Sequence, residues 1–600
     1  MLRQAAAAMQ AGQADTAAAV CREVLKLAPG QPDALHLLAM ASASQGDNAE
    51  AERLFTESLS RAPARPDILA NYGNFLRRRG DLVQARSKLR KATKKGPHFV
   101  PAWHSLGLLL LEQRDLGEAL RCARRVTELA PAHAPGWELL AAVEQKRGQP
   151  DAAIAACREG LQHAPAAARL HYSLGQLLRQ ECEFAEAAAA YEEARKHGFD
   201  TPELYINELE ALSEAGEMHR ALACADTGLK QFPDSAALHR TRAHLHWETG
   251  IAGDPVQPLW NAARHSPGNP SLWYTLARLL DRLERKEESI DAIAEARRLG
   301  CPDSPELLVQ EALCRDYAGQ PGAATEIFTR VVRQHPDNTN ARLSFAQHLL
   351  STGDPAGAEE QCAEVLREHP HDQLAWCYRG TAWQLLGDPR EQWLMDYERM
   401  VRPVPVPPPE GYTDTASFMA DVQDALEQLH QTEAHPIEQS VRGGTQTNGF
   451  LFRLKHPLLR VLENQIRTAI RTVLDDFPDD PDHPFWGRRL PGGDLRFSGA
   501  WSVRLRSEGF HTNHIHTEGW ISSALYIALP DVVREESGTA GHIQFGVPMT
   551  ELGLDLAPRR VVRPQVGTLA LFPSYMWHGT IPFASEQPRI TVAFDLQPQN

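Results

Sequence analysis

A period of 34 residues runs through the first two thirds of this 600-residue chain and limits its fold more than any other feature. A proline marks each period, with Phe199 at the one position that misses and a single extra residue before Pro302. The prolines are Pro29, Pro63, Pro97, Pro131, Pro165, Pro233, Pro267, Pro302, Pro336 and Pro370. Most of these positions, including Phe199, follow an alanine by twelve residues, at Ala17, Ala51, Ala85, Ala119, Ala153, Ala187, Ala221, Ala324 and Ala358. Two residue types in phase over so many periods predict a repeat protein.

Each period is interpreted as two amphipathic helices joined by a short polar turn. Helices that cross closely need small side chains at the crossing, which explains the alanines and also Gly73, Gly107 and Gly175. The proline ends the second helix, because it has no N–H to continue the hydrogen-bond ladder. Pro255 occupies the small-residue position of one period, and we expect a kinked or loosened helix there.

This pattern resembles the tetratricopeptide repeat over residues 1–395. The resemblance implies an all-α superhelix of stacked helix pairs with a concave groove. We expect that groove to bind a protein or a peptide. The alternative is a scaffold that positions other domains or forms a dimer.

The charge and the cysteines restrict the class of partner. A formal net charge of −15 and a pI of about 5.9 argue against nucleic acid or an anionic membrane as the main partner. The cysteines lie singly between Cys21 and Cys377 without a CxxC pair, which argues against a zinc knot or a disulfide framework. The N-terminal sequence lacks the apolar run of a signal peptide, and no stretch is apolar enough to span a membrane. We therefore expect a cytoplasmic protein.

A proline-rich segment at 403–411 predicts the boundary between two domains. Its composition favours extended polyproline geometry, which makes a semi-rigid spacer. We expect a repeat domain at 1–400, a linker at 401–411 and a second domain at 412–600. In the second domain, helical patterns at 415–431 and 458–474 precede strands that alternate with a period of two from Ser498 onward. That order predicts a β-rich barrel or jelly roll with flanking helices.

Three histidines and an arginine carry the chemistry expected of the second domain. His514 and His516 are two residues apart, so on the edge of a strand both side chains share a face. His578 follows a predicted strand in a loop that must fold back to the pair, and Arg589 begins the last strand with Thr591 on its face. Imidazoles are good ligands for ferrous iron, and a guanidinium binds a carboxylate through two hydrogen bonds. The set predicts a redox-metal site that binds an acidic cosubstrate.

The order HxH, FPSxxxH and RxT resembles the iron(II)- and 2-oxoglutarate-dependent oxygenases with a double-stranded β-helix. The closer resemblance, over residues 412–598, is to the oxygenase domain found behind tetratricopeptide repeats in bacteria. Further matching motifs are Gln439-Ser440, Trp501-Ser502-Val503-Arg504-Leu505, Gly519-Trp520-Ile521-Ser522-Ser523 and Phe572-Pro573-Ser574.

Carried over by position, the resemblance implies an iron(II) site and a 2-oxoglutarate site. The implied iron ligands are His514, His516 and His578. Arg589 would bind the distal carboxylate of 2-oxoglutarate, with hydrogen bonds from Thr591 and Tyr526. Dioxygen would be the second substrate and ascorbate a stimulatory reductant. The implied reaction couples decarboxylation of 2-oxoglutarate to succinate with hydroxylation of a C–H bond, here in a protein or peptide recruited by the repeats.

Several alternatives stay open at this point. The common facial triad has two histidines and one carboxylate, so His516 and Glu518 could form the close pair with His514 outside. His511 either supports the ligands or packs. The oxygenase domain could be degenerate or only sense a metal, which would leave a repeat-based protein-binding scaffold. The loop at 488–493 is interpreted as a lid or as a plain surface connection.

Overall fold

The computed structural model describes residues 1–489, 494–535 and 538–599. The chain divides into two compact units, Met1–Leu204 and Tyr205–Asn600. Residues 490–493 of the loop interpreted as a lid lie outside the described residues. In the described part of the chain, no helix combines the length and the apolar character needed to cross a membrane. The domain boundaries expected at 400 and 412 stay a prediction.

The first unit is a stack of antiparallel helix pairs. From the third helix on, the first helix of each pair begins 34 residues after the last, at Pro32, Pro66, Val100, Ala134 and Ala168. The helices are α1 (Leu2–Gln10), α2 (Ala14–Leu27), α3 (Pro32–Ser44), α4 (Asn48–Arg61), α5 (Pro66–Arg78), α6 (Leu82–Lys95), α7 (Val100–Glu112), α8 (Leu116–Leu129), α9 (Ala134–Lys146), α10 (Pro150–His163), α11 (Ala168–Gln180) and α12 (Phe184–Lys196). The predicted period and helix pairing are confirmed.

Close helix crossings explain the small residues of the repeat. The repeat alanines are fully buried. An added Cβ at Gly73 would lie 2.6 Å from the Leu89 side chain, and one at Gly175 would lie 2.7 Å from the Tyr191 ring. These distances are well below van der Waals contact, so the helices approach this closely only because glycine has no side chain.

The second unit continues the helix pairs. Its helices are α13 (Pro202–Glu214), α14 (Met218–Gln231), α15 (Ala236–Glu248), α16 (Gln257–His265), α17 (Pro270–Arg282), α18 (Lys286–Arg298), α19 (Pro305–Tyr317), α20 (Pro321–Gln334), α21 (Thr339–Ser351), α22 (Pro355–Glu368), α23 (Gln373–Leu386), α24 (Arg390–Leu394) and α25 (Tyr397–Met400). The disturbance expected at Pro255 is a shortened helix instead of a kink. α16 has 9 residues where α18 has 13, because it begins only after the proline.

A six-stranded and a three-stranded antiparallel sheet form the β-rich part of this unit. Their strand orders are β1-β7-β4-β9-β3-β2 and β6-β5-β8. The strands are β1 (Arg402–Pro405), β2 (Val441–Gln446), β3 (Asp494–His511), β4 (Ile521–Ala528), β5 (Ile543–Phe545), β6 (Arg560–Val562), β7 (Thr568–Pro573), β8 (His578–Thr580) and β9 (Arg589–Gln599). The flanking helices are α26 (Thr415–Glu427), α27 (Pro457–Leu474) and α28 (Asp531–Arg534). The predicted class, an all-α repeat followed by a jelly-roll-like domain with two preceding helices, is confirmed.

The start of the proline-rich segment belongs to the larger sheet. β1 pairs antiparallel with β7 over its four residues. Val404 and Val406 are buried, and the backbone N–H of Val406 donates to the carbonyl of Gly567. This half of the segment is extended, as expected, but it is an edge strand instead of a free spacer. Proline is tolerated there because an edge strand has one unpaired side.

The cysteines are single, packed thiols, as expected. All nine lie within the described residues and form no disulfide there, and all but Cys182 are buried. Burial raises the pKa of the Cys122 and Cys157 thiols to about 12. These thiols are therefore protonated and unreactive at neutral pH.

We expect the second unit to lose stability as the pH falls from 6.5 towards 4, because His483 is buried in its neutral form. Its Nδ1 accepts from the backbone N–H groups of Phe485 and Trp486 (3.0 and 3.2 Å), and its Nε2 contacts the Trp393 carbonyl at 3.0 Å. Burial lowers the pKa of His483 to about 4, so the unfolded chain binds the proton first. The loss should be about 3 kcal/mol by pH 4, measured by urea unfolding at neutral and acidic pH.

His483→Asn is the matched control for this pH effect. The asparagine oxygen keeps an acceptor near the Nδ1 position but does not titrate. The variant should be less stable at neutral pH and should show a flatter pH dependence. An unchanged slope would show that other groups cause the acid sensitivity.

Candidate metal centre

Three imidazoles converge where the chain leaving β3 meets β8. His514 and His516 lie in the segment that follows β3, and His578 is the first residue of β8. Backbone hydrogen bonds join His514 and His578 in both directions, at 2.9 and 3.1 Å. The expected strand edge is thus an isolated bridge, and the expected loop at His578 is a short strand. Both elements are too short for a period-two pattern to reveal them.

Each of the three imidazoles is oriented by a hydrogen bond at Nδ1. The acceptors are the Thr512 carbonyl for His514 (2.7 Å), the Met576 carbonyl for His578 (3.0 Å) and the Asp595 carboxylate for His516 (2.6 Å). Carbonyl and carboxylate oxygens only accept, so each Nδ1 carries the proton and each Nε2 presents its lone pair. The Nε2 atoms of His514 and His516 are 3.2 Å apart, and one ligand atom from each ring lies within 4.8 Å of the others. This arrangement can hold a metal ion.

Burial keeps His514 and His578 neutral. Burial lowers the pKa of His514 to about 3 and holds the pKa of His578 well below its ordinary value, and the neighbouring imidazoles lower both further. Neutral imidazoles have free lone pairs and do not repel a cation. Three imidazole ligands without charge would not balance the positive charge of a divalent metal. A negatively charged cosubstrate could balance it.

Asp595 is a functional residue that the sequence analysis missed. Its carboxylate accepts hydrogen bonds from His516 Nδ1 and from the Ser522 hydroxyl, both at 2.6 Å. A carboxylate behind a ligating imidazole fixes the ring and makes it more basic. The period-two pattern of β9 could have identified Asp595, because it shares the parity of Arg589 and Thr591.

The Gly519 and Ser574 motifs support the same network. The Ser574 hydroxyl lies 2.8 Å from that of Ser522, and its carbonyl accepts from the backbone N–H of His516 at 3.0 Å. A Cβ at Gly519 would lie 2.2 Å from Ser574 Oγ. The close approach of these segments therefore requires glycine at that position.

Arg589 and Tyr526 are buried next to each other. Arg589 is 2 % exposed, and its guanidinium carbon lies 5.1 Å from the centre of the Tyr526 ring. Among the described residues, neither Arg589 Nε nor the Tyr526 hydroxyl has a hydrogen-bond partner. Burial lowers the pKa of Arg589. Buried donors without partners are costly, and a bound carboxylate would satisfy them.

One cavity of about 280 Å³ joins the imidazoles and Arg589, and Tyr526 is not among the residues that line it. The lining includes His511, His514, His516, His578, Arg589, Thr591, Asp595, Ser440 and Trp501. Gln439 and Glu518 also line it and are exposed, so they mark its mouth. Glu518, the alternative ligand, lies on this rim, whereas His514 belongs to the imidazole cluster.

His511 Nδ1 lies 3.0 Å from Ser440 Oγ, and its ring stacks beside that of His514.

Comparison with known families agrees with this geometry. Residues 499–595 match the family described as "Putative 2OG-Fe(II) oxygenase". Residues 139–200 and 317–376 match tetratricopeptide-repeat families, and residues 35–163 match the "Cilia and flagella-associated protein 70 middle TPR-like domain". The chain carries tetratricopeptide repeats followed by an oxygenase-family domain. The oxygenase description itself names ferrous iron and 2-oxoglutarate.

Comparison with individual proteins gives further similarities. The TPR repeat-containing protein PA4667 of Pseudomonas aeruginosa is 29 % identical over 158 residues, which cover 26 % of each chain. The chain thus spans about a quarter of the length of this curated relative. Among solved structures, PilF of Pseudomonas aeruginosa is 18 % identical, with 35 % of this chain and 96 % of PilF covered and a TM-score of 0.31. A tetratricopeptide repeat protein of Parabacteroides merdae is 17 % identical, with 40 % and 95 % covered and a TM-score of 0.31.

In the oxygenase domain, Asp595→Asn should weaken metal binding. The amide keeps the shape of the carboxylate but not its charge, so the His516 ring is held less firmly and is less basic. We expect the affinity for a divalent metal to fall about 10–100-fold, as is typical when a hydrogen-bond partner of a ligand is changed. Titration with Co²⁺, followed by its absorption, measures this. A wild-type affinity in a folded variant would contradict the role given to Asp595.

Proposed function

We propose that the chain is an iron(II)- and 2-oxoglutarate-dependent dioxygenase that hydroxylates a protein or peptide. One observation carries the proposal: three imidazoles with converging ligand nitrogens line the same cavity as a buried arginine whose Nε has no hydrogen-bond partner among the described residues. Histidine clusters and buried arginines each have structural explanations when they occur alone. Together they meet the two requirements of a metal site that also binds an acid.

The imidazole cluster would hold the iron. His514, His516 and His578 would bind through Nε2, each kept in the required tautomer by its Nδ1 hydrogen bond. Asp595 would act on the metal only through His516. When bound, iron(II) and 2-oxoglutarate supply the oxidation of a C–H bond by dioxygen.

Arg589 would bind the distal carboxylate of 2-oxoglutarate. A guanidinium offers two parallel N–H donors to a carboxylate, and the contact is strong where water is excluded. The Thr591 and Tyr526 hydroxyls would add hydrogen bonds. The protein therefore orients the acid from its far end and leaves the end near the imidazoles for the metal.

The repeat region would recruit the substrate. Long stacks of helix pairs commonly bind proteins or peptides along their surface. The substrate segment would enter the cavity past the exposed Gln439 and Glu518. The alternative, a binding scaffold with a degenerate or metal-sensing domain, is less favoured because the ligand set and the acid-binding donors are both intact.

Metal removal tests the proposal. The wild-type chain with ferrous iron and ascorbate should convert 2-oxoglutarate to succinate, slowly without substrate and faster with it. Chelation should abolish the reaction, and Fe²⁺ should restore it where Zn²⁺ does not, because zinc has no redox chemistry. A chain that binds iron but releases no succinate would favour the metal-sensing alternative.

The ligand set is tested by comparing His514→Ala with Glu518→Ala. We expect only the histidine variant to lose iron binding, because Glu518 is exposed at the rim. Equilibrium dialysis with Fe²⁺ under anaerobic conditions measures both. Loss of binding in the glutamate variant alone would mean that His516 and Glu518 are the ligands.

A further inference from the structure

A short segment of the oxygenase domain is anchored in the repeat helices and ends at the imidazole cluster. This segment, residues 433–440, is called the strap. Its first part is tied to the end of α15: the backbone N–H groups of Glu433 and Ala434 donate to the Glu248 carbonyl at 3.0 and 3.4 Å. The indole N–H of Trp247 donates to the His435 carbonyl at 2.8 Å. Three hydrogen bonds thus fix the start of the strap to one repeat helix.

The middle of the strap is part of the repeat core. Ile437 is 1 % exposed and packs in an apolar cluster with residues of α15–α18, among them Trp273 and Leu276. Burial of such a side chain contributes about 1.5–3 kcal/mol. The strap is therefore held from the repeat side by packing as well as by hydrogen bonds.

Glu438 forms a charged anchor next to this packing. Its Oε1 lies 2.9 Å from a terminal nitrogen of Arg278 in α17, and its Oε2 lies 3.4 Å from His244 Nε2 in α15. The Glu438 and His244 side chains are about one fifth exposed. A partly buried pair of this kind is screened less by salt than a surface pair.

The end of the strap touches the metal centre. Ser440 Oγ lies 3.0 Å from His511 Nδ1 and 3.2 Å from His514 Nε2. The Ser440 carbonyl accepts from the backbone N–H of Thr512 at 2.9 Å. The Thr512 carbonyl in turn accepts from His514 Nδ1 at 2.7 Å. The Ser440 carbonyl therefore holds the residue that orients the His514 ring, whereas the serine hydroxyl contacts Nε2 only while no metal occupies that lone pair.

We propose that the strap is a positioning element through which the repeat helices α15 and α17 set Ser440 and, through the Ser440–Thr512 and Thr512–His514 hydrogen bonds, the orientation of the His514 ring. Only one residue separates Glu438 from Ser440, and residues 437–440 form a turn in which the Gln439 N–H donates to the Pro436 carbonyl at 3.2 Å. A displacement of Glu438 should therefore also displace Ser440. The repeat region therefore helps to hold His514 in place, so metal binding in the oxygenase domain depends on the repeat region. This inference rests on the proposed role of His514 in metal binding.

A charge swap tests the strap, with Co²⁺ binding as the readout. Glu438→Arg places like charges together and should lower the Co²⁺ affinity at least about tenfold and change the Co²⁺ absorption bands, because the His514 ring is displaced. The double variant Glu438→Arg with Arg278→Glu restores opposite charges and should return the affinity to within about threefold of the wild type. Glu438→Gln, which changes only the charge, should show a smaller loss in the same direction.

Glu284→Gln is the control. Glu284 contacts Arg442 just beyond the strap at 3.2 Å, and its side chain is 74 % exposed, so the change should leave Co²⁺ binding unaltered. Urea unfolding identifies any variant that fails to fold. If Glu438→Arg and Glu438→Gln both fold and bind Co²⁺ as tightly as the wild type, the inference is overturned. It is also overturned if the double variant folds but does not recover the Co²⁺ affinity.

The two levels of proposal fail in different ways. A wild-type chain that binds Co²⁺ but produces no succinate with Fe²⁺ would contradict the proposed reaction and leave the strap intact. Normal turnover in the wild type, with unchanged metal binding in the Glu438 variants, would contradict the strap alone. A wild-type chain without any Co²⁺ binding would contradict both.

Discussion

Arg589→Met is expected to abolish 2-oxoglutarate turnover and, at the same time, to stabilise the free chain. The guanidinium is buried, and its Nε has no partner among the described residues, so replacing it with an apolar side chain removes a desolvated charge. The free energy of unfolding of the metal-free chain should rise by about 1–4 kcal/mol. Loss of two charge-assisted hydrogen bonds should weaken 2-oxoglutarate binding by about a hundredfold or more.

Thermal unfolding with and without 2-oxoglutarate measures both effects of Arg589→Met. The metal-loaded wild type should gain about 2.7 kcal/mol at a ligand concentration a hundred times the dissociation constant, and the variant should gain almost nothing. Arg504→Met, a half-buried arginine of β3, is the control and should respond like the wild type. A variant that is less stable than the wild type, or that keeps its response to the acid, would contradict the role of Arg589.

His578→Ala is expected to remove metal binding and all metal-dependent turnover. His578 is the ligand on β8, and its ring lies between those of His514 and Phe572, with centres 4.2 and 4.5 Å away. Two imidazoles cannot replace three, so the affinity should fall by more than the roughly 100-fold seen for supporting residues. Dialysis with Fe²⁺ and succinate release measure the two effects.

His542→Ala is the matched control for His578→Ala. His542 is also buried and lies next to β5, but it is not part of the imidazole cluster. Its replacement should leave metal binding within about threefold of the wild type. Equal losses in both variants would indicate a general effect of removing a buried imidazole and would contradict the assignment of His578 as a ligand.

The repeat was predictable because its signal is local. A proline that ends a helix and an alanine or glycine at a crossing act through neighbours in the sequence, so the 34-residue spacing gives the helix starts directly. The alternation of cavity-facing and core-facing residues along β9 was predictable for the same reason. Ile590, Val592 and Phe594 lie in the apolar core, while Arg589 and Thr591 line the cavity.

Features that depend on distant pairing were not predictable. β1 is a strand only because β7 lies beside it, and its prolines indicated a spacer instead. His578 joins a three-residue strand, which is too short to give a pattern. The anchoring of the strap could not be predicted, although Gln439-Ser440 is one of the matching motifs, because Ile437 is buried by helices more than a hundred residues earlier in the chain.

The most direct test of the account is a crystal structure of the iron-loaded chain, grown without oxygen and with 2-oxoglutarate, in which anomalous scattering locates the metal. We expect iron bound to the Nε2 atoms of His514, His516 and His578, with the cosubstrate carboxylate on Arg589 and Asp595 in contact with His516 only. Iron bound to Glu518 or to Asp595, or a cosubstrate away from Arg589, would contradict the account.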